Sequence, residues 1–238
     1  MNKKLFVLAA FCAVFVCSVS GAEKSNVMPK FTDSNTIVCG NKKVVLSADG
    51  KVSIANASGE IVNVSLQYIF KESANGKVDW FTVTPAICKM SQDGNKVVWE
   101  LWKKHALHTW KVADQTLEIL EDGQMKLTAQ IFNPETDKIV PRLPNASFFI
   151  FFPVAKNEGR KMLFNGQEYT LAAGVKGVSA WRGTQFDYEL FPGDQADNII
   201  FKSSKIYQTA SIIVGPNHRI TYLFPKDGCG EILIDLRK

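Results

Sequence analysis

Two stretches carry residues whose types and spacing suit chemistry on a polar ligand. In "WRGTQFDYELF", Phe186, Tyr188 and Leu190 alternate with Gln185, Asp187 and Glu189. On a strand, one face is then apolar and the other is a polar stripe with two carboxylates about 7 Å apart. Trp181 and Arg182 stand just upstream. Carboxylates accept hydrogen bonds from hydroxyl groups and a guanidinium donates them, so the stripe suits a polyhydroxylated ligand. In "VVWELW", Trp99 and Trp102 have opposite parity, so a regular strand buries only one. Trp102 shares its parity with Val98 and Glu100 and is expected on the exposed side, where an indole can stack on the apolar face of a sugar ring. The candidate ligand-binding residues are therefore Trp102, Trp181, Arg182, Gln185, Asp187 and Glu189. The bland alternative is a solvent-facing strand side with tryptophans that fill a core.

Other chemistries lack their parts. His105 and His108 form the close histidine pair, but positions three apart on one strand face opposite ways and share no metal unless a turn separates them. No cysteine has zinc-site or C-x-x-C spacing, no G-x-S-x-G elbow accompanies a histidine, and no phosphate-binding glycine motif occurs. Cys229 lies between Gly228 and Gly230, which a turn before a final strand explains. No motif therefore names a catalytic residue, and no metal site or cofactor is expected. A pair of acids for glycoside hydrolysis needs roughly 5–10 Å separation in space, which spacing in sequence does not show across a sheet.

Residues 1–22 read as an address. Lys3 and Lys4 precede an apolar run from Leu5 to Val19, followed by Ser20-Gly21-Ala22. This is the layout of a secretory signal peptide cut before Glu23, with an apolar run too short to span a bilayer. Of 238 residues, loss of these 22 leaves 216, and the formal charge of +5 becomes +3 without Lys3 and Lys4. The expected location is periplasmic or secreted. The remaining charge forms no basic stripe, so nucleic acid is not an expected partner, and no second apolar stretch reaches membrane length. Cys39, Cys88 and Cys229 permit at most one internal disulfide, with three pairings open, or three thiols acting as small hydrophobes.

The elements that must position these residues are strands. Runs rich in Val, Ile, Phe, Thr and Tyr recur, among them Lys42 to Ser47, Glu60 to Phe70, Val97 to Trp102, Met125 to Phe132, Ser147 to Phe152, Arg219 to Phe224 and Glu231 to Leu236. Asp49-Gly50, Asn75-Gly76, Asp93-Gly94, Asp122-Gly123, Asn165-Gly166 and Asp227-Gly228 punctuate them, and such pairs close hairpins at low steric cost. Around Asp122-Gly123, Leu117, Ile119, Met125, Leu127, Ala129 and Ile131 are expected on one face. No long 3.6-residue apolar period marks a helix. "NPETDKIVPRLPN" reads as a crossover loop rather than a domain boundary, because similar strands resume after it. The expected fold is all-β: residues 23–238 as one large two-sheet antiparallel β-sandwich of about 15 strands.

"LEDGQMKL", "ASFFIFFPVA", "FNGQEYTL", the "LFPGD" turn and "GCGEILIDLRK" together resemble the β-sandwich domains of exported bacterial proteins that bind or act on polysaccharides, including the galactose-mutarotase-like supersandwich. That resemblance implies a sugar-related role. Mutarotase-type enzymes use histidines and a late glutamate. No surrounding motif aligns His105, His108, His218 or Glu231 with them, so no catalytic role passes to these residues. The sequence thus points first to an exported carbohydrate-associated binding protein with polysaccharide or oligosaccharide as partner. An envelope protein that binds another protein, or a sugar-active enzyme on the same scaffold, are the alternatives.

Overall fold

The computed structural model describes residues 27–237 apart from 75–76, 83–84, 86, 106–107, 133–144, 154–156, 172–176, 182–185, 204–208, 215–216 and 226. The leader read from residues 1–22 lies outside the described residues. Those described contain no helix and nineteen strands. In chain order these are β1 (Lys30–Asp33), β2 (Thr36–Cys39), β3 (Lys42–Leu46), β4 (Val52–Asn56), β5 (Gly59–Ala74), β6 (Lys77–Thr82) and β7 (Ile87–Asp93). Next come β8 (Lys96–His105), β9 (His108–Ile119), β10 (Met125–Ile131), β11 (Asn145–Pro153), β12 (Lys161–Phe164) and β13 (Gln167–Thr170). The last are β14 (Gly177–Trp181), β15 (Asp187–Leu190), β16 (Ile199–Ser203), β17 (Thr209–Val214), β18 (Asn217–Leu223) and β19 (Cys229–Asp235). The number exceeds the expected 15 because four-residue strands such as β1 and β2 are too short for alternation to show.

The strands form two antiparallel sheets, as the alternation implied. One has ten strands in the order β1-β2-β3-β4-β5-β11-β18-β17-β14, with β6 also paired to β5. The other has nine, ordered β13-β12-β15-β16-β19-β10-β9-β8-β7. One apolar layer joins them, with Ile37, Val44, Ile54, Phe148 and Tyr222 from the first and Trp99, Leu117, Leu127, Tyr188 and Ile234 from the second. The six residues expected on one face around Asp122-Gly123 are all buried, in the register Met125↔Ile119 and Leu127↔Leu117. The Phe148–Phe152 run is β11, inside the ten-stranded sheet, and Phe148, Ile150 and Phe152 lie in the apolar layer.

Polar contacts also cross the layer. The buried Trp99 indole on β8 donates to Ser47 O at 2.9 Å, and Gln115 Nε2 on β9 donates to Gly50 O at 2.5 Å. Gly50 has φ +85, and a Cβ there would sit 3.1 Å from Gln115 Oε1, so glycine serves both the turn and the approach. Tyr222 of β18 donates to Phe186 O at 3.0 Å and meets Tyr188 edge-to-face at 5.5 Å. Buried Lys42 of β3 donates to Leu236 O at 3.1 Å and Gln195 O at 3.2 Å.

Three expectations change. Asp227-Gly228 does not close a hairpin. It precedes β19 in the nine-stranded sheet, whereas the previous strand, β18, is in the ten-stranded one. "WKKHALHTW" is not one strand. β8 ends at His105 and β9 begins at His108, and these two residues pair across the hairpin. Ala106-Leu107 carries no recognisable turn chemistry, so the break was invisible in the sequence. The cysteine alternatives also narrow, because Cys39, Cys88 and Cys229 are thiols rather than disulfides. The stretch read as a crossover loop lies outside the described residues at 133–144, and the strands on either side, β10 and β11, belong to different sheets.

Candidate functional site

The outer face of the nine-stranded sheet gathers an aromatic and charged cluster at β7, β8 and β9. Asp93-Gly94 closes the β7–β8 hairpin and fixes its register, Asp93↔Lys96, Lys89↔Glu100 and Ile87↔Trp102. Alternation then divides β8. Val97, Trp99 and Leu101 enter the apolar layer, while Val98, Glu100 and Trp102 stay partly exposed on the other face. A β-bulge between Leu101 and Trp102 shifts the pairing with β9, so Leu101 meets Ala113 but Trp102 meets Lys111. This extra residue re-aims the strand and brings a lysine beside the indole.

The resulting surface combines Ile87, Trp102 and Phe132 with two lysines and two carboxylates. Ile87 is 45% exposed, one of the few large hydrophobic residues so open among the described residues. Lys89 Nζ lies 5.6 Å from the Trp102 ring centroid, and Lys111 Nζ lies 5.6 Å from that of Phe132, both within cation–π range. Glu100 stands between the lysines, 3.7 Å from Lys89 and 3.3 Å from Lys111. Lys111 also meets Asp114 at 2.6 Å. The Lys111 hydrogen bond and charge hold the Glu100 carboxyl below its ordinary range, and the Asp114 hydrogen bond raises the Lys111 ammonium. Two lysines and two carboxylates thus meet within ion-pair distance on this face.

Asp187 and Glu189 take the expected faces. Phe186, Tyr188 and Leu190 are buried, Asp187 is exposed and Glu189 is partly exposed. The Asp187 N–H donates to Asn165 Oδ1 at 2.8 Å, and Asn198 Nδ2 donates to Glu189 Oε1 at 3.0 Å. These carboxylates share the outer face with Trp102 but not its neighbourhood. β15 and β8 are separated by β16, β19, β10 and β9, roughly 24 Å at the usual strand spacing. Glu100 and Asp187 are therefore too far apart to act as one acid pair.

Trp181 belongs to the other sheet. It ends edge strand β14 and pairs with Ala210, in the register row of buried Tyr222. Arg182 and Gln185 lie outside the described residues, as does the Trp181 side chain. Trp102, Trp181 and Asp187 consequently occupy three separate places in the sandwich. Sequence proximity grouped Trp181 with Asp187, yet the chain changes sheets between them.

Sequence reasoning missed Ile87, Lys89, Lys111 and Phe132. Lys89 could have been found by counting back from Asp93-Gly94 across the hairpin. Lys111 and Phe132 required the bulge and the order of strands. Among the described residues no group of three or more His, Cys, Asp or Glu is arranged to hold a metal ion, and no helix is long and apolar enough to cross a membrane. No protein-family model matches the sequence, and none of the curated proteins matches it either.

Proposed function

We propose that this chain is an exported glycan-binding protein whose binding surface is the outer face of the nine-stranded sheet around Trp102. The observation that carries this reading is the partly exposed Trp102 indole framed by Glu100, Lys89 and Lys111. An indole offers an apolar plane for sugar C–H groups, and the ammonium and carboxylate groups at its rim donate to and accept from hydroxyls. Lys89 has a long flexible stem, so a ring stacking on Trp102 displaces its ammonium towards the sugar's edge rather than meeting a fixed obstacle. A polymer laid across the strands reaches Asp187 roughly 24 Å further on, so Asp187 and Glu189 serve at most as a remote extension of the same face.

Electrophoresis of the mature protein through gels containing individual polysaccharides tests this. Retardation by at least one glycan is expected, and Trp102→Ala should abolish it without altering mobility in plain gel. Retardation unchanged by the substitution would reject the Trp102 assignment. A second reading, a surface for an envelope protein, is favoured by Ile87, which is exposed beside Trp102 on the terminal strand of the sheet. Migration unaffected by any glycan, with self-association or partner binding lost in Ile87→Lys, would establish that reading instead.

A further inference from the structure

The outer face of the ten-stranded sheet holds a different arrangement. β11 and β18 pair with Phe149 opposite Thr221 and Phe151 opposite Arg219. Phe148, Ile150, Ile220 and Tyr222 are fully buried in the apolar layer, so the alternate positions face outward. Phe149 and Phe151 meet edge-to-face at 5.7 Å, and the Arg219 guanidinium carbon lies 4.3 Å from the Phe149 centroid. Phe149 is only 9% exposed and Ser147 5%, well below an ordinary solvated sheet surface. β5 supplies Asn63, Ser65 and Gln67 opposite Phe151, Phe149 and Ser147, each partly buried.

Arg219 has no carboxylate partner among the described residues. Burial alone lowers its pKa, although a guanidinium remains charged at any physiological pH. Its Nε and the Thr221 hydroxyl oxygen are buried and make no hydrogen bond. Glu60, on the same sheet, accepts a hydrogen bond from Asn63 at 2.9 Å and forms no ion pair with Arg219 among the described contacts. A partly desolvated cation without a counter-charge is costly, and so is an unsatisfied hydroxyl beside it. Two such groups at alternate positions of one strand, on an aromatic shelf, form an incomplete set whose missing member is an anion. A planar carboxylate matches the guanidinium fork, and the hydroxyl adds a further donor.

We propose that Arg219 and Thr221 bind the carboxylate of an acidic ligand on the outer face of the ten-stranded sheet, with Phe149 holding the guanidinium in place. The site stands apart from the Trp102 surface, and either can fail without the other. Isothermal titration of the full mature chain tests it with sodium glucuronate and sodium N-acetylglutamate as two sources of carboxylate. Glucose, sodium sulfate and sodium chloride at matched ionic strength are the controls. Carboxylate binding is expected, and that of N-acetylglutamate should be unchanged in Trp102→Ala. Arg219→Gln should weaken it at least tenfold, and Arg219→Lys and Thr221→Val should weaken it less. A preference for glucuronate would make the ligand an acidic sugar, and a preference for N-acetylglutamate an acidic peptide. Absence of carboxylate binding to the wild type, equal binding of sulfate, or affinity unchanged in Arg219→Gln would overturn the proposal. If Arg219→Gln does not fold, unchanged affinity in both Arg219→Lys and Thr221→Val would overturn it.

Discussion

The nine-stranded sheet turns outward a surface of matched charges: Lys89 and Lys111 with Glu100, Lys126 with Glu118, and Lys161 with Glu168. On the ten-stranded sheet, Arg219 instead lies over Phe149 and beside an orphan hydroxyl, without an acidic partner among the described residues. Both faces rest on the same apolar layer and obey the same alternation. They differ in whether the cations at the surface meet carboxylates among the described residues. The first face pairs its lysines with carboxylates beside a partly exposed indole, whereas on the second Arg219 Nε and the Thr221 hydroxyl make no hydrogen bond. Whether a surface cation meets a carboxylate is thus the difference on which the two proposed sites rest.

The largest effect should come from removing what both faces depend on. Trp99→Ala deletes a fully buried indole and its bond to Ser47 O, and should cost about 3–5 kcal/mol in denaturant unfolding. Both binding activities should then weaken together, because the sheets lose a shared contact. Gly230→Ala is the next test. A Cβ there would sit 2.2 Å from Phe224 Cε1, so overpacking should cost about 1–3 kcal/mol by the same measurement.

Acid should discriminate between the faces. Glu100 has its folded pKa lowered, first by the Lys111 hydrogen bond and then by the charge of Lys111. Its contribution is therefore present above the ordinary carboxylate range and disappears as pH falls through the lowered value. Between about pH 6 and about pH 3, the wild-type melting temperature should fall more than that of Glu100→Gln. Equal slopes would show that the matched charges do not stabilise the surface. Trp102→Ala should have the smallest effect, under about 1 kcal/mol on stability because the indole is not a core group, while still removing glycan binding. A loss as large as that of Trp99→Ala would make Trp102 a packing residue and erase the contrast between the two tryptophans.

The fold was largely legible because strand alternation and Asp-Gly turns are local signals. The opposite fates of Trp99 and Trp102, and the burial of Tyr188 against the exposure of Asp187, follow from parity alone. What parity does not carry is the order of strands. Five positions upstream of Phe186, Trp181 sits in another sheet, and no feature of "WRGTQF" announces the crossing. The Leu101–Trp102 bulge that aligns Lys111 with the indole is equally silent, because β9 lacks a glycine or proline there. The Arg219–Thr221 arrangement required knowing that β11 lies beside β18, strands separated by more than sixty residues. The missing half of the site was therefore long-range register, which only the assembled sheets supply.

Indole N–H resonances of the protein, labelled with ¹⁵N at its five tryptophans, test the central claim most directly. Titration with the glycan that retards the protein should shift one resonance, and that resonance should be the one missing from Trp102→Phe. A shift confined to the resonances of other tryptophans, or none at a concentration that retards migration, would contradict the placement of the glycan site on the nine-stranded sheet.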